Sequence, residues 1–213
     1  MLEASVIQRN VAKASSMRRF LLCRNIERLT QILISRVLAD NADYLRRQVC
    51  HYRRELALLD AGEYGALNRL GPASNAVRDS SSVVSAEFGF EHIEPDLPTV
   101  ILNPGPGLHI VYVNRAFSIE TGVSEGKLIG RRLYEAFPEN PEAPESECIS
   151  HTFNAINRTT KEQRPEILPE QRYDIRNPDG VFVECYWRME FLPLPGANEE
   201  VEFIKLRGMK ILK

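Results

Sequence analysis

Long apolar runs are missing from this 213-residue chain. No stretch approaches the ~18 residues that a membrane-spanning helix needs. Glu3, Arg9, Lys13, Arg18 and Arg19 interrupt the first residues, where a secretory leader would place an apolar block. A cytoplasmic location is therefore expected. Cysteine is scarce as well: Cys23, Cys50, Cys148 and Cys185 are the four, and none stands at the close spacing that lets two thiolates reach one zinc ion. Reduced thiols and no metal site are expected. Also missing are a phosphate-cradling glycine loop, a cluster of metal ligands and a nucleophile set beside a base. No catalytic residue can be assigned, and the chain is not expected to be an enzyme.

What is present suits a packed globular protein, with 43% apolar and 26% charged residues. The formal net charge of −2 conceals an asymmetry, because residues 1–71 carry 12 Lys/Arg against 7 Asp/Glu and the remainder carries 15 against 22. The two parts attract one another. In the basic part, Leu22, Ile26, Leu29, Leu33 and Val37 recur at helical spacing, and Leu45, Val49, Tyr52, Leu56 and Leu59 form a second stripe. Between them Ala39 to Asp43 is rich in short polar side chains that favour a cap or turn. Either a helical hairpin or one long helix burying its stripes against a second copy fits. Gly62, Gly65 and Gly71-Pro72 close this region, and the serine-rich segment up to Pro95 has no periodicity. The expected organisation is a helical region at 1–71, a linker at 72–95 and a domain at 96–207.

After Pro98 the texture changes. Thr99–Leu102 and Leu108–Val113 flank Asn103-Pro104-Gly105-Pro106-Gly107, a hairpin signature. Asn114 to Thr121 reads as a short helix ended by Gly122, and Ser124 as the cap of another that Gly130 closes. A longer helix is predicted over 145–160, with Ile149, Thr152, Phe153 and Ile156 on one stripe. Strands follow at about 171–176, 181–191 and 200–207, with turns at Asn177–Gly180 and Pro195–Asn198. Elements grouped in this way imply an α+β fold with an antiparallel sheet and its helices on one face.

Several short motifs stand in a characteristic order: Val113-Asn114 with Ala116-Phe117, then Thr121-Gly122, Ile129-Gly130-Arg131, Phe137-Pro138 with Asn140-Pro141, and the strands Arg172–Ile175 and Tyr186-Trp187. In this combination the chain resembles the PAS domain of bacterial sensor histidine kinases and related signalling proteins, over about half its length. The resemblance implies a five-stranded antiparallel sheet, a sensory and signal-transduction role, and association with a partner protein. It departs from the family at Leu206–Lys210, where such domains have a polar ending. Any output is expected amino-terminal to the domain or in another chain. Cofactors of such sensors find no support: no Asn-Cys-Arg flavin motif surrounds Cys148, and His151 lies off the apolar stripe where a haem ligand would sit.

Strand alternation sorts the sheet faces. Val183, Cys185, Trp187, Met189 and Phe191 are expected inward, with Tyr173 and Ile175 sharing a face and Arg172, Asp174 and Arg176 wet. The candidate ligand pocket comprises Phe117, Phe153, Tyr173, Cys185 and Trp187. On the opposite face Phe182, Tyr186 and Phe203 form a candidate interaction surface, to be covered by an amino-terminal helix or a second subunit. The expected partners are a second copy or a signalling protein, with a small molecule as ligand. The alternative is a transcription-linked regulator whose basic helices touch DNA.

Overall fold

The computed structural model describes residues 2–35, 41–66, 93–143, 146–177, 179–196 and 200–211, with side chains in the first helix from Asn10 onward. Most of the expected linker, and Val37, lie outside the described residues.

Helices α1 (Leu2–Ser35) and α2 (Ala42–Glu63) pack antiparallel, the hairpin of the two arrangements the stripes allowed. Leu22 from one stripe and Leu45 and Val49 from the other are buried between them. Arg18 bonds Glu55 at 2.6 Å and Arg19 bonds Asp60 at 2.8 Å, which fixes the register. Ala57 and Ala61 on the other side of α2, and Ala66 just past its end, pack into the main core. Small side chains let this helix approach closely. Its end is tied to the turn after β1 (Thr99–Leu102) by bonds from Gly107 N to Ala61 O (2.8 Å) and from Ala66 N to Pro104 O (2.7 Å). Gly65, at φ +61°, passes so near Gly105 that a Cβ would fall 2.3 Å from its carbonyl carbon.

The sheet adds β2 (Ile110–Val113), β3 (Glu166–Arg172), β6 (Tyr186–Pro195) and β7 (Val201–Ile211) in the antiparallel order β2-β1-β7-β6-β3. Helices α3 (Arg115–Thr121), α4 (Leu133–Ala136) and α5 (Cys148–Glu162) form the layer on one face. This is the α+β, PAS-type architecture, preceded by a helical region. On α5, Ile149, Phe153 and Ile156 are all buried, as their spacing predicts.

Three expectations change in detail. The strand expected at 171–176 is two: β3 begins at Glu166, and β4 (Ile175–Arg176) pairs with β5 (Phe182–Val183) in a separate small sheet. The strand expected at 181–191 is likewise interrupted at Glu184-Cys185. Alternation therefore holds for Cys185, Trp187, Met189 and Phe191, which are buried, and fails for Val183, which is exposed. Asp174, expected wet, is buried as well. The last strand runs on to Ile211, so Leu206–Lys210 continues the sheet by pairing with Trp187–Phe191.

Candidate functional site

The site is built around one asparagine at the exit of β2. Asn114 Oδ1 accepts from Phe117 N at 2.9 Å, capping α3, and from Thr99 N at 3.0 Å, while Nδ2 donates to Leu97 O at 2.7 Å. A single buried amide thus satisfies the first turn of a helix, a strand end and the incoming chain. Gly122, at φ 69°, ends α3 in the left-handed conformation. So anchored, Phe117 points beneath the helical layer and meets Phe137 edge to face, with centroids 5.7 Å apart.

Between these rings and the sheet lies a cavity of about 60 Å³. Phe117, Leu133 and Phe137 wall it from the helical side, and Tyr173, Trp187 and Met189 from the other. Every polar tip at its edge is turned to a protein partner. The indole of Trp187 donates to Tyr173 O at 2.9 Å. The Tyr173 hydroxyl donates to Phe137 O. Thr121 donates to Phe117 O and Thr152 to Cys148 O, both at 2.8 Å. Since Thr152 has thereby spent its proton, the Tyr134 hydroxyl is the donor in the 3.1 Å contact between them. Burial pushes the Tyr134 and Tyr173 phenols well above their ordinary range, so both stay protonated donors. The chamber is wide enough for a small guest and offers it contact area, with no unmet hydrogen bond.

Beside the cavity runs the segment Phe137-Pro138-Glu139-Asn140. Asn140 Nδ2 donates to Asp174 Oδ2 at 2.8 Å, and Arg172 grips the same carboxylate through two bonds of 2.8 Å. Burial by itself would raise the Asp174 pKa, but the hydrogen bonds from Arg172 and Asn140 hold it below the usual carboxylate range. Glu139, its side chain 4% exposed, accepts from Ser146 Oγ and from Ile149 N at 3.1 Å and pairs with Arg54 of α2 at 3.3 Å.

Of the five candidate pocket residues, Phe117, Tyr173 and Trp187 line the cavity. Phe153 and Cys185 are buried in the surrounding core without lining it. Phe153 instead borders a second, polar cleft of about 350 Å³ between α2 and α5, together with Arg53, Asp60, Glu147 and His151. His151 lies on the exposed side of α5, 3.2 Å from Gln171 Oε1. Cys148 is buried, and burial drives its thiol pKa far up, which makes it a poor nucleophile. The wall residues that alternation and stripes did not single out include Leu133, Tyr134, Phe137 and Gly208. A visible signal existed for one of them, the Phe137-Pro138 motif.

The three surface candidates are not brought together. Phe203 is buried with Ile101 at one end of the outer sheet face, where Ile93 and Leu194 pack on it. Tyr186 is half-buried opposite Ile211 at the other end of that face. Phe182 sits in the small β4–β5 sheet with Arg176 over its ring at 6.0 Å. The amino-terminal hairpin packs through α2 on α5 and on the β1–β2 turn, and so lies away from the outer face it was expected to cover.

No family model and no curated protein matches this chain. Solved structures do. A fungal light-oxygen-voltage domain photoreceptor is similar at 16% identity, with 56% of this chain and 77% of that one covered and a TM-score of 0.43. The corresponding domain of a blue-light activated histidine kinase from Erythrobacter litoralis is similar at 21% identity, covering 55% and 97% with a TM-score of 0.40. A PAS domain from the fruit-fly ELK potassium channel is similar at 17% identity, covering 55% and 89%, also with a TM-score of 0.40. The likeness is one of fold alone. The PAS-type assignment of residues 99–211 stands on the sheet order and the helical layer.

Proposed function

We propose that this PAS-type protein is a sensory signal-transduction module, whose cavity admits a small, largely apolar molecule and whose amino-terminal hairpin passes the state of the domain to an associated protein. The observation that carries the reading is the closed polar accounting around the cavity. Trp187, Tyr173, Tyr134, Thr121 and Thr152 all spend their donors on the protein. A ligand needing hydrogen bonds would have to break some of these, at roughly 1–3 kcal/mol for each buried group left unpaired. A small apolar guest gives up nothing. The location of the hairpin supports its role, because α2 is packed on the same helix, α5, that supplies Thr152 to the cavity.

Contact of the hairpin with DNA is the weaker reading. Arg18 and Arg19 are engaged with Glu55 and Asp60 of the hairpin itself, and Arg53 and Arg54 with Glu147 and Glu139 of the domain, so four of the hairpin's arginines already have a carboxylate partner in this chain. Native mass spectrometry of the purified protein tests the proposal, since bound small molecule and subunit count are read together. A retained apolar compound or a defined oligomer is the expected result. A monomer that stays empty and takes up neither xenon nor benzene would overturn it.

A further inference from the structure

We infer that the Arg54–Glu139 pair is the joint through which the cavity acts on the hairpin. The inference rests on the sensory reading above and names its internal route. Three neighbouring residues carry it. Phe137 is part of the cavity wall, and its carbonyl accepts the Tyr173 hydroxyl. Glu139, two residues on, has a side chain only 4% exposed and is shared between α2, through Arg54, and the first turn of α5, through Ile149 N. Asn140 is fixed by its bond to Asp174. Pro138, with its locked φ, joins the wall residue to the carboxylate, and Pro141 follows Asn140.

The segment is therefore short, stiff and held at Phe137, Glu139 and Asn140. A guest that presses Phe137 or Tyr173 outward must carry Glu139 with it. A displaced carboxylate then has to release either Arg54 or the α5 terminus. Arg54 is the softer partner, because its guanidinium is one-fifth exposed and can be rehydrated, whereas Ile149 N is a backbone donor in the first turn of α5, held by the same carboxylate at the shorter distance of 3.1 Å. The hairpin's neighbouring contact is weak enough to follow: Arg53 meets Glu147 across a surface where Arg53 is 45% exposed, beside the 350 Å³ cleft. What remains is the packing of the small side chains Ala57 and Ala61 and the hinge at Ala61–Ala66, bonded to the β1–β2 turn. Occupancy of the cavity would swing α2 about that hinge.

Hydrogen exchange of the α2 amides from Cys50 to Leu58, measured in the full chain, tests this. Two perturbations of the cavity are used. Gly208→Ala adds a methyl at its floor, with Cβ 3.4 Å from Trp187 Cε3, and xenon under pressure is an occupant that needs no polar partner. Each is expected to change α2 exchange by at least about fivefold, the lower end of ordinary coupling between two sites. In an Arg54→Ala background that change disappears, while the response of the β6 amides around Trp187 is the same in both backgrounds. Should Arg54→Ala alone free α2, Glu139→Gln, which keeps an oxygen for Ile149 N, takes its place.

Exchange in α2 that neither perturbation moves, or that moves equally with and without Arg54, overturns the inference. Failure of xenon to shift the cavity resonances, with Gly208→Ala still moving α2, counts against ligand sensing and leaves the joint standing.

Discussion

Helix α5 has two packed faces, and they are held by different physics. Toward the sheet it buries Ile149, Ala155 and Ile156 to 2% exposure or less, in contact with the strands beneath. On the side of α2 lie small side chains, Ala57 and Ala61, the Arg53–Glu147 pair at the start of α5, the Arg54–Glu139 pair in the segment before it and an open polar cleft. Apolar burial is not screened by salt and yields only when the domain unfolds. Ion pairs beside water are screened and cheap to open. The difference teaches that the inner face fixes the domain, while the outer face is a seam that can part with the domain intact.

The largest way to break the comparison is to damage the inner layer. Trp187→Ala removes the residue that closes the cavity, and it is expected to lower stability by about 3–5 kcal/mol, read by urea denaturation with circular dichroism. Both layers then fail together. Asp174→Ala comes next, at about 2 kcal/mol, because it strands Asn140 and leaves Arg172 with only the exposed Glu184 as an ionic partner. Its pH signature has a definite sign. The folded carboxyl titrates below its unfolded value of about 3.9, so its contribution is fully present above that value and is lost as pH falls through the folded one. Asp174→Asn should flatten that part of an acid titration; an unchanged acid limb would assign the loss to other carboxylates.

A smaller effect of a different kind is expected from Ala61→Leu. The added methylenes overfill a site 3% exposed against the β1–β2 turn, at a cost of about 1–3 kcal/mol. Here the cost can be met by undocking α2. Protease sensitivity of the hairpin should rise while fluorescence of Trp187, the only tryptophan, stays native. Loss of both signals together would mean that the seam and the core are one cooperative unit.

How far these layers could be read from the sequence follows from the range of the signals. Asn114 and Gly122 act within a few residues, and both were legible as a helix start and stop. Trp187, Met189 and Phe191 obey strand parity over a continuous ladder. Parity failed at Val183 because the chain breaks at Glu184-Cys185, where Tyr173 N bonds Cys185 O instead of continuing the main sheet. The start of β3 has Pro165 just before it and Pro169 within it, residues that normally interrupt a strand pattern. Yet β3 is an edge strand whose register shifts between Leu168 and Gln171, where a missing N–H costs no ladder bond. Asp174 looked wet because its partner Asn140 lies 34 residues away. The Ala57–Ala61–Gly65 spacing was passed over since stripe reading weighs large apolar residues, and close approach requires small ones. The cavity wall needed α4, a single turn too short to have a period.

The smallest effect separates the two faces of α5 most cleanly. Arg53→Ala removes the more exposed of the two ion pairs, Arg53–Glu147 at 2.8 Å, and is expected to change global stability by under about 1 kcal/mol. Its consequence is local. Raising ionic strength to about 1 M shortens the screening length to roughly 3 Å, so salt should mimic the substitution: α2 amides exchange faster in either case, and the two treatments together do little more than one. Amides of β6 and β7 should be indifferent to both. If salt instead speeds exchange in those strands as much as in α2, charge is holding the whole fold, and the seam has no independence from the core.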